Sequence, residues 1–446
     1  MVGVGIDSKG PSGLTDDSDA DWIQGAAVRC IWRSFVRVLV SGVIVVVSLS
    51  ATSFPAIARP LPVQSRDSNS STAGGMAADW VWVDASGPIS DRVIAVAQNA
   101  ASRVGGRAAV IDGGTLDLLR IRRNGEKIFG APAGFSYRVT FRSIGIAAGE
   151  TLFGPEVGTA LAKGEVVMDA ATARRRGALV GDMLTIVSWN QRTLRLRLGA
   201  VSGSLPSDLL FSQTTARYMG VRRHASVIIY GLPSRESIDS FFVGFARFFA
   251  RHRVRPVRTW DRRFADEILD TRDLDSLLGE VPSRGANALA VPDSWRSANI
   301  IPAVFRVGGR RFSTHCNAVV ARAAQAAFDE LTVAGLASVI DTRDTDNTGG
   351  CYQPRRARTV LGGKGGTVSR HTWGAAIDLN PTTNCVGCAP RLPCAVVQIF
   401  RSHGFAWGGN FLVPDGMHFE WVGERRDRHP SRPGDRCPTR VLMPAG

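Results

Sequence analysis

A chain of 446 residues is too long for one typical domain and points to two or three. Its 54 basic residues, 50 of them arginine, against 39 acidic ones give a formal charge of +15, which suits an anionic partner. No aromatic-plus-basic motif of a nucleic-acid module accompanies that charge, so nucleic acid is set aside, and anionic lipid and an anionic wall polymer stay as partners such a surface could attract.

In chain order, Arg29, Arg33 and Arg37 precede an apolar run of twelve residues, Val38 to Leu49. Pro55-Ala56-Ile57-Ala58 then offers a small-x-small cleavage site. This is the layout of a secretory leader, and the run is short of the roughly 20 residues of a membrane span. Residues 1–58 are therefore read as a signal peptide, with an uncleaved anchor as the alternative and the only route to a membrane. Residues 59–78, rich in Pro, Ser, Gly and Ala, read as a linker.

Residues 79–232 are expected to form an accessory α+β domain. Strand-like runs fall at Trp80–Val83, Tyr137–Phe141, Leu184–Val187, Leu194–Leu198 and Val227–Tyr230, with helical stretches near Ile94–Ala101 and Ala170–Arg175. The passages Gly164–Asp169 and Val180–Ile186 resemble the extracytoplasmic domain of certain ABC-transporter permeases, a likeness that assigns no site. Ile238, Phe241, Phe242, Phe245, Phe248 and Phe249 recur at helical spacing and predict one apolar helix face, packed in a core or against another domain. The arginine-rich run from Arg251 to Arg263 reads as a solvated connector, so residues 233–290 are assigned to a helix and connector.

Residues 291–446 carry the chemistry. Asn317 is a plausible N-cap for a helix whose stripe is Val320, Ala324, Ala327, Phe328 and Leu331, ending at Gly335. Ala337–Ile340 reads as a strand. A second helix begins with Pro393 in its first turn and ends at Gly404, where His403 sits to cap the C-terminus. Apolar strands near 375–379 and 417–422 complete a small antiparallel sheet with flanking helices.

The decisive pattern is Ser369-Arg-His371-Thr-Trp-Gly374-Ala-Ala-Ile-Asp378, followed later by Asp415-Gly-Met-His418. A hydrolytic zinc site wants three His or carboxylate ligands, an open position, and a carboxylate nearby that is not a ligand. His371, Asp378 and His418 supply the ligands for Zn²⁺, and Asp415 is the base that activates water. Gly374 allows a turn between His371 and Asp378. Ser369 shapes that turn or contacts substrate, and Trp407 either packs or lines the substrate cleft. Six cysteines, Cys316, Cys351, Cys385, Cys388, Cys394 and Cys437, lie in this region, an even number that suits up to three disulfides in fifteen pairings. A thiolate metal site on Cys385 and Cys388 is the rival reading.

On Ser369, His371, Gly374, Ala376, Asp378, Asp415 and His418 the chain resembles the zinc D-alanyl-D-alanine carboxypeptidase and endopeptidase family (the M15 peptidases), in the superfamily of lysostaphin-type enzymes and the hedgehog signalling domain. Asp378-Leu-Asn-Pro381 and Gly404–Gly409 extend the likeness, which covers about the last third of the chain. Much of the family has Glu where Asp415 stands. The resemblance implies a hedgehog-like α+β fold and a peptidoglycan stem peptide as substrate. From Cys351-Tyr-Gln-Pro-Arg355 it implies Arg355 as the residue that steadies the oxyanion or binds a substrate carboxylate, with Arg356 and Arg358 as the neighbouring alternatives. It implies an exported, envelope-associated hydrolase. Carboxypeptidase action on D-Ala-D-Ala, endopeptidase action on L-Ala-D-Glu or a cross-link, and a non-catalytic zinc-containing wall-binding protein all stay open.

Overall fold

The computed structural model describes residues 79–439, apart from 86–87, 204, 222–223, 253, 260–263, 286–288, 345–349, 358–367 and 432–433. The leader and the linker expected at 1–58 and 59–78, and Arg358, lie outside the described residues. The elements of the first half are β1 (Val81–Ala85), α1 (Asp91–Arg103), β2 (Arg107–Arg123), β3 (Glu126–Gly130), β4 (Ser136–Ile144), α2 (Ile146–Phe153), α3 (Pro155–Ala162), β5 (Val166–Asp169), α4 (Ala170–Arg176), β6 (Met183–Val187), β7 (Thr193–Ser202), β8 (Leu209–Ser212), α5 (Gln213–Tyr218), β9 (His224–Tyr230), α6 (Arg235–Gly244), α7 (Ala246–Arg251) and β10 (Val254–Arg258).

Strand β2 organises this half. At 17 residues it is long enough to pair with β9 at its start, β4 in its middle and β6 towards its end. The chain of pairings β2-β6-β7-β5-β8-β4 returns to β2, so six strands close a barrel. Leu116, Leu118, Phe141, Met168, Ile186 and Phe211 fill it. The ends of β2 and β9 run on into a second layer with β1 and β10, covered by α1, α6 and α7.

The aromatic stripe of 238–249 is thus not one helix. It breaks at Phe245 after Gly244, a poor helix former, into α6 and α7. Ile238, Phe242 and Phe249 are buried against β1 and β9, and Phe241, Phe245 and Phe248 pack beside them. The expected solvated connector is corrected as well: Val254–Arg258 is a strand paired with β1. Pro256 is tolerated there because β10 lies at the sheet edge. Arg258 pairs with Asp239 and stacks on Phe242, its guanidinium carbon 5.7 Å from the ring centre.

The second half continues with α8 (Thr271–Leu278), β11 (Pro282–Ser283), α9 (Asp293–Asn299), β12 (Ile300–Val307), β13 (Arg310–Asn317), α10 (Ala318–Val333), β14 (Ala376–Asp378), α11 (Cys394–Ser402), β15 (Phe405–Trp407) and β16 (His418–Trp421). It is mixed α+β with a small antiparallel sheet in the order β14-β16-β15, next to the β12–β13 hairpin. Asn317 caps α10 by accepting from the Val319 N–H at 3.1 Å. Pro393 is the N-cap of α11 and His403 its C-cap, where the imidazole also meets Glu330 at 2.7 Å. Ala337–Val339 is a 3-10 turn rather than the expected strand, a short apolar run whose periodicity could not separate the two.

Leu269, Leu274 and Leu278 share one core with Phe305, Phe328, Phe400 and Phe419, so segment 269–278 belongs to the C-terminal half instead of linking to it. Three disulfides form, Cys316–Cys351, Cys385–Cys388 and Cys394–Cys437, which removes the thiolate-metal reading. Beneath the sheet, the buried Arg401 guanidinium is gripped by Asp266 and by Asp435 at 3.2 Å. Asp266 also accepts from the Trp407 N–H at 3.0 Å and the Asn410 amide at 2.7 Å. Asp266→Ala would strand most of that charge in the interior, and we expect a loss of about 3 kcal/mol, read as a lower denaturation midpoint at unchanged slope.

Candidate metal centre

Two local devices bring the donor atoms together. The first is strand pairing. Asp378 ends β14 and His418 begins β16, and the antiparallel register sets them directly opposite each other. His418 Nδ1 lies 3.0 Å from Asp378 Oδ1. The second is a tight turn. Residues 370–373 form one 3-10 turn, which Gly374 closes at φ +62°. A Cβ at Gly374 would stand 2.6 Å from the Asn317 nitrogen, so glycine alone fits this crossing. The turn swings His371 back over β14, with Nε2 3.2 Å from Asp378 Oδ1.

His371 is wholly buried, and its Nδ1–H donates to the Cys351 carbonyl at 2.9 Å, which fixes the tautomer and leaves Nε2 as the lone-pair nitrogen. That Nε2 is buried without a hydrogen-bond partner. One ligand atom from each of His371, Asp378 and His418 lies within 4.8 Å of the others. An orphaned imidazole nitrogen, a second imidazole and a carboxylate so arranged fit a divalent cation of the zinc type. Burial by itself would raise the Asp378 carboxyl, but the His371 and His418 imidazoles beside it hold it far below the usual carboxylate range. Burial would lower His418, yet Asp378 and Glu420 push it up to about 10. The pocket's acids favour positive charge at this point.

Asp415 opens the turn that ends in His418, whose N–H donates to the Asp415 carbonyl at 3.2 Å. Its backbone bridges to Val386 in the Cys385–Cys388 loop, and its N–H donates to Gly408 at 2.9 Å. The carboxylate is half-buried, with Oδ1 shut off from water and without a hydrogen-bond partner. Burial raises its pKa, helped by the Asp378 charge and opposed by His418, His371 and Arg355. A raised, positioned carboxylate beside a donor set is what general base work requires.

Arg355 runs beside the turn. Its carbonyl accepts from the Ser369 N–H at 3.0 Å, and its Nη2 stands 3.9 Å from Asp378 Oδ2. Arg355, Ser369, Asp378, Asp415 and His418 all line one cleft of about 1020 Å³. Trp407 does not. It is fully buried and its indole N–H donates to Gly416 at 2.8 Å, so it supports the Asp415 turn from below and the expectation of substrate contact is corrected.

Sequence reasoning passed over Glu420 and Arg370. Strand alternation puts Glu420 on the same face as His418, and its Oε2 lies 3.6 Å from His418 Nε2. Arg370 Nε donates to Glu420 Oε1 at 2.8 Å, and its Nη2 donates to the Leu269 carbonyl at 2.6 Å. The signal available was the spacing of two in His418-Phe-Glu420. Glu420→Gln should weaken metal binding about 10- to 100-fold while leaving the fold intact, as a metal titration followed by circular dichroism would show.

Residues 362–421 match the family model described as D-alanyl-D-alanine carboxypeptidase. That match supports the M15 peptidase family for this short C-terminal region. The M15-like match takes in both ligand motifs and Asp415. No curated protein matches the chain. Among solved structures, the periplasmic region of MacB from Actinobacillus actinomycetemcomitans matches at 10% identity and a TM-score of 0.26, over 40% of this chain and 87% of its own. The extracellular domain of the noncanonic ABC-type transporter YknZ from Gram-positive bacteria matches at 12% identity and a TM-score of 0.26, over 40% of this chain and 99% of its own.

Proposed function

We propose that this protein is a zinc-dependent peptidase that hydrolyses peptidoglycan stem peptides, as a D-alanyl-D-alanine carboxypeptidase does. The observation that carries the reading is a buried His-Asp-His donor set sharing a cleft with an unpartnered carboxylate oxygen, inside the region that matches the peptidase family. A small sheet of the hedgehog and D-Ala-D-Ala peptidase type would present these residues. Zinc held by His371, Asp378 and His418 would polarise the scissile carbonyl and acidify water.

The chain's own residues do the rest. Asp415 takes a proton from the attacking water and passes it to the leaving amine. Arg355 pairs with the developing oxyanion or with a terminal carboxylate, for which a planar guanidinium is suited. Ser369 lines the cleft at the edge of the ligand turn and contacts the bound peptide. Retention of an acid that no ligand role requires argues against a purely wall-binding protein.

A second reading, endopeptidase action, is favoured by the size of the cleft, which extends past the donor set on to the barrel and would accept peptide on both sides of the cut bond. We place the protein outside the cytoplasm, where three disulfides would persist. No helix among the described residues is long and apolar enough to cross a membrane. Purified full-length protein incubated with peptidoglycan, with the fragments identified by mass spectrometry, tests both readings. Loss of terminal D-alanine supports the first, an internal cut the second, and unchanged peptidoglycan refutes both.

A further inference from the structure

The core of the first half absorbs only part of the aromatic stripe. Phe242 and Phe249 are buried, whereas Phe241 and Phe245 are half-buried, their rings stacked with centres 4.5 Å apart. They form one wall of a trench of about 250 Å³ whose other wall is α1. We propose that this trench is a docking surface for an anionic lipid bilayer. It gives the folded first half a contact with a membrane besides the N-terminal anchor that the sequence offers as an alternative.

The trench combines charge with apolar surface, and helical spacing puts both on one face. Arg92, Val96, Asn99 and Arg103 follow one another at i, i+4, i+7 and i+11, so α1 turns a single stripe towards it. The middle of the stripe is uncharged, with Ala95 beside Val96, and each end is an arginine. Eleven residues of helix set the two arginine backbones roughly 16 Å apart. No acidic side chain is among the described residues that line the trench. Arg92 and Arg103 are both exposed, and neither makes an ion pair among the described residues. Arg92 lies over the Phe248 ring, its guanidinium carbon 5.8 Å from the ring centre. That contact uses the flat face of the guanidinium and leaves its N–H edge for a phosphate. Arg247 and Arg251 on α7 are exposed as well, while Asp239, the acid nearest to Phe241 in sequence, is taken up by Arg258.

Charge and apolar surface together select the occupant. A sugar-phosphate polymer would answer the arginines but leave Phe241, Phe245 and Val96 facing water. A bilayer with anionic headgroups meets both, because arginine and phenylalanine on one surface lie at the boundary of headgroup and acyl chain. The formal charge of +15 draws the protein to such a surface.

The test uses the protein from Arg59 on, which contains the whole compact unit 74–446 and lacks the apolar run 38–49, a lipid-binding element in its own right. Sedimentation with vesicles of phosphatidylglycerol and phosphatidylcholine, or of phosphatidylcholine alone, gives the partition coefficient. We expect binding to the anionic vesicles only. Part of it should persist at high salt, where screening removes the electrostatic share and leaves the apolar one. Arg92→Gln combined with Arg103→Gln should lower the coefficient about 30-fold at low salt. Arg195→Gln combined with Arg217→Gln removes the same charge from exposed positions on β7 and α5, and should change it by no more than about twofold. Ala95→Gln, a neutral change at an exposed helix position, should abolish the salt-resistant share. Circular dichroism checks the fold of each variant, and the salt titration of the unaltered protein needs no variant. Equal losses from the two arginine pairs would show a general charge effect and overturn the proposal. Binding with no salt-resistant share would mark a site for a polyanion and overturn it too. Equal binding to both kinds of vesicle, or binding to neither, has the same consequence.

Discussion

Asp415→Asn is expected to lower peptide hydrolysis by about two to four orders of magnitude while the metal stays bound. Asparagine keeps the size and the backbone bridge to Val386 but cannot accept a proton. The three ligand side chains are untouched, because Asp415 meets His418 through the turn's backbone. The two halves of the expectation are read separately, hydrolysis by mass spectrometry and metal content by elemental analysis. Loss of metal together with activity would make Asp415 a structural residue. A pH profile adds a sign. The base works deprotonated and its pKa is raised by burial. Activity should thus fall as pH drops through a midpoint above the ordinary aspartate value of about 4. A midpoint at or below that value would contradict the role.

The second large effect is expected from the disulfide nearest the metal centre. Cys316 is the penultimate residue of β13, next to the Asn317 cap, and Cys351 carries the carbonyl that orients His371. The bridge closes a loop of 35 residues. Chain entropy then gives a loss of about 4 kcal/mol for the Cys316→Ala, Cys351→Ala double variant. The same change frees the Cys351 carbonyl to shift, so His371 should lose its fixed tautomer and metal affinity should fall by about 10- to 100-fold. Denaturant melts measure the first, and metal titration well below the melting range measures the second. Unaltered metal affinity in a destabilised variant would show that β13 and the Thr314 contact, at 3.1 Å from the Cys351 nitrogen, hold the carbonyl without the bridge.

Much of the centre was legible because its grammar is local. His371, Gly374 and Asp378 lie within one turn and one strand, and Asp415 and His418 within another turn. Asn317 and Pro393 marked their helices because capping depends on the first turn alone. Long-range relations were not legible. Nothing local to Val254–Arg258 says that it pairs with β1, more than 150 residues earlier, so an edge strand read as a charged connector. The sequence left open whether Trp407 packs or lines the cleft, and the floor of the sheet buries it.

The sequence by itself determined the candidate donor residues, the carboxylate that lies beside them and the cysteine count, because side-chain chemistry and turn spacing are properties of short segments. Tertiary structure decided which cysteines pair, that Glu420 and Arg370 brace His418, and that the barrel shares the cleft. Those outcomes depend on which apolar faces bury against one another across hundreds of residues. That burial is non-directional, and only the packed chain fixes which polar groups it carries together.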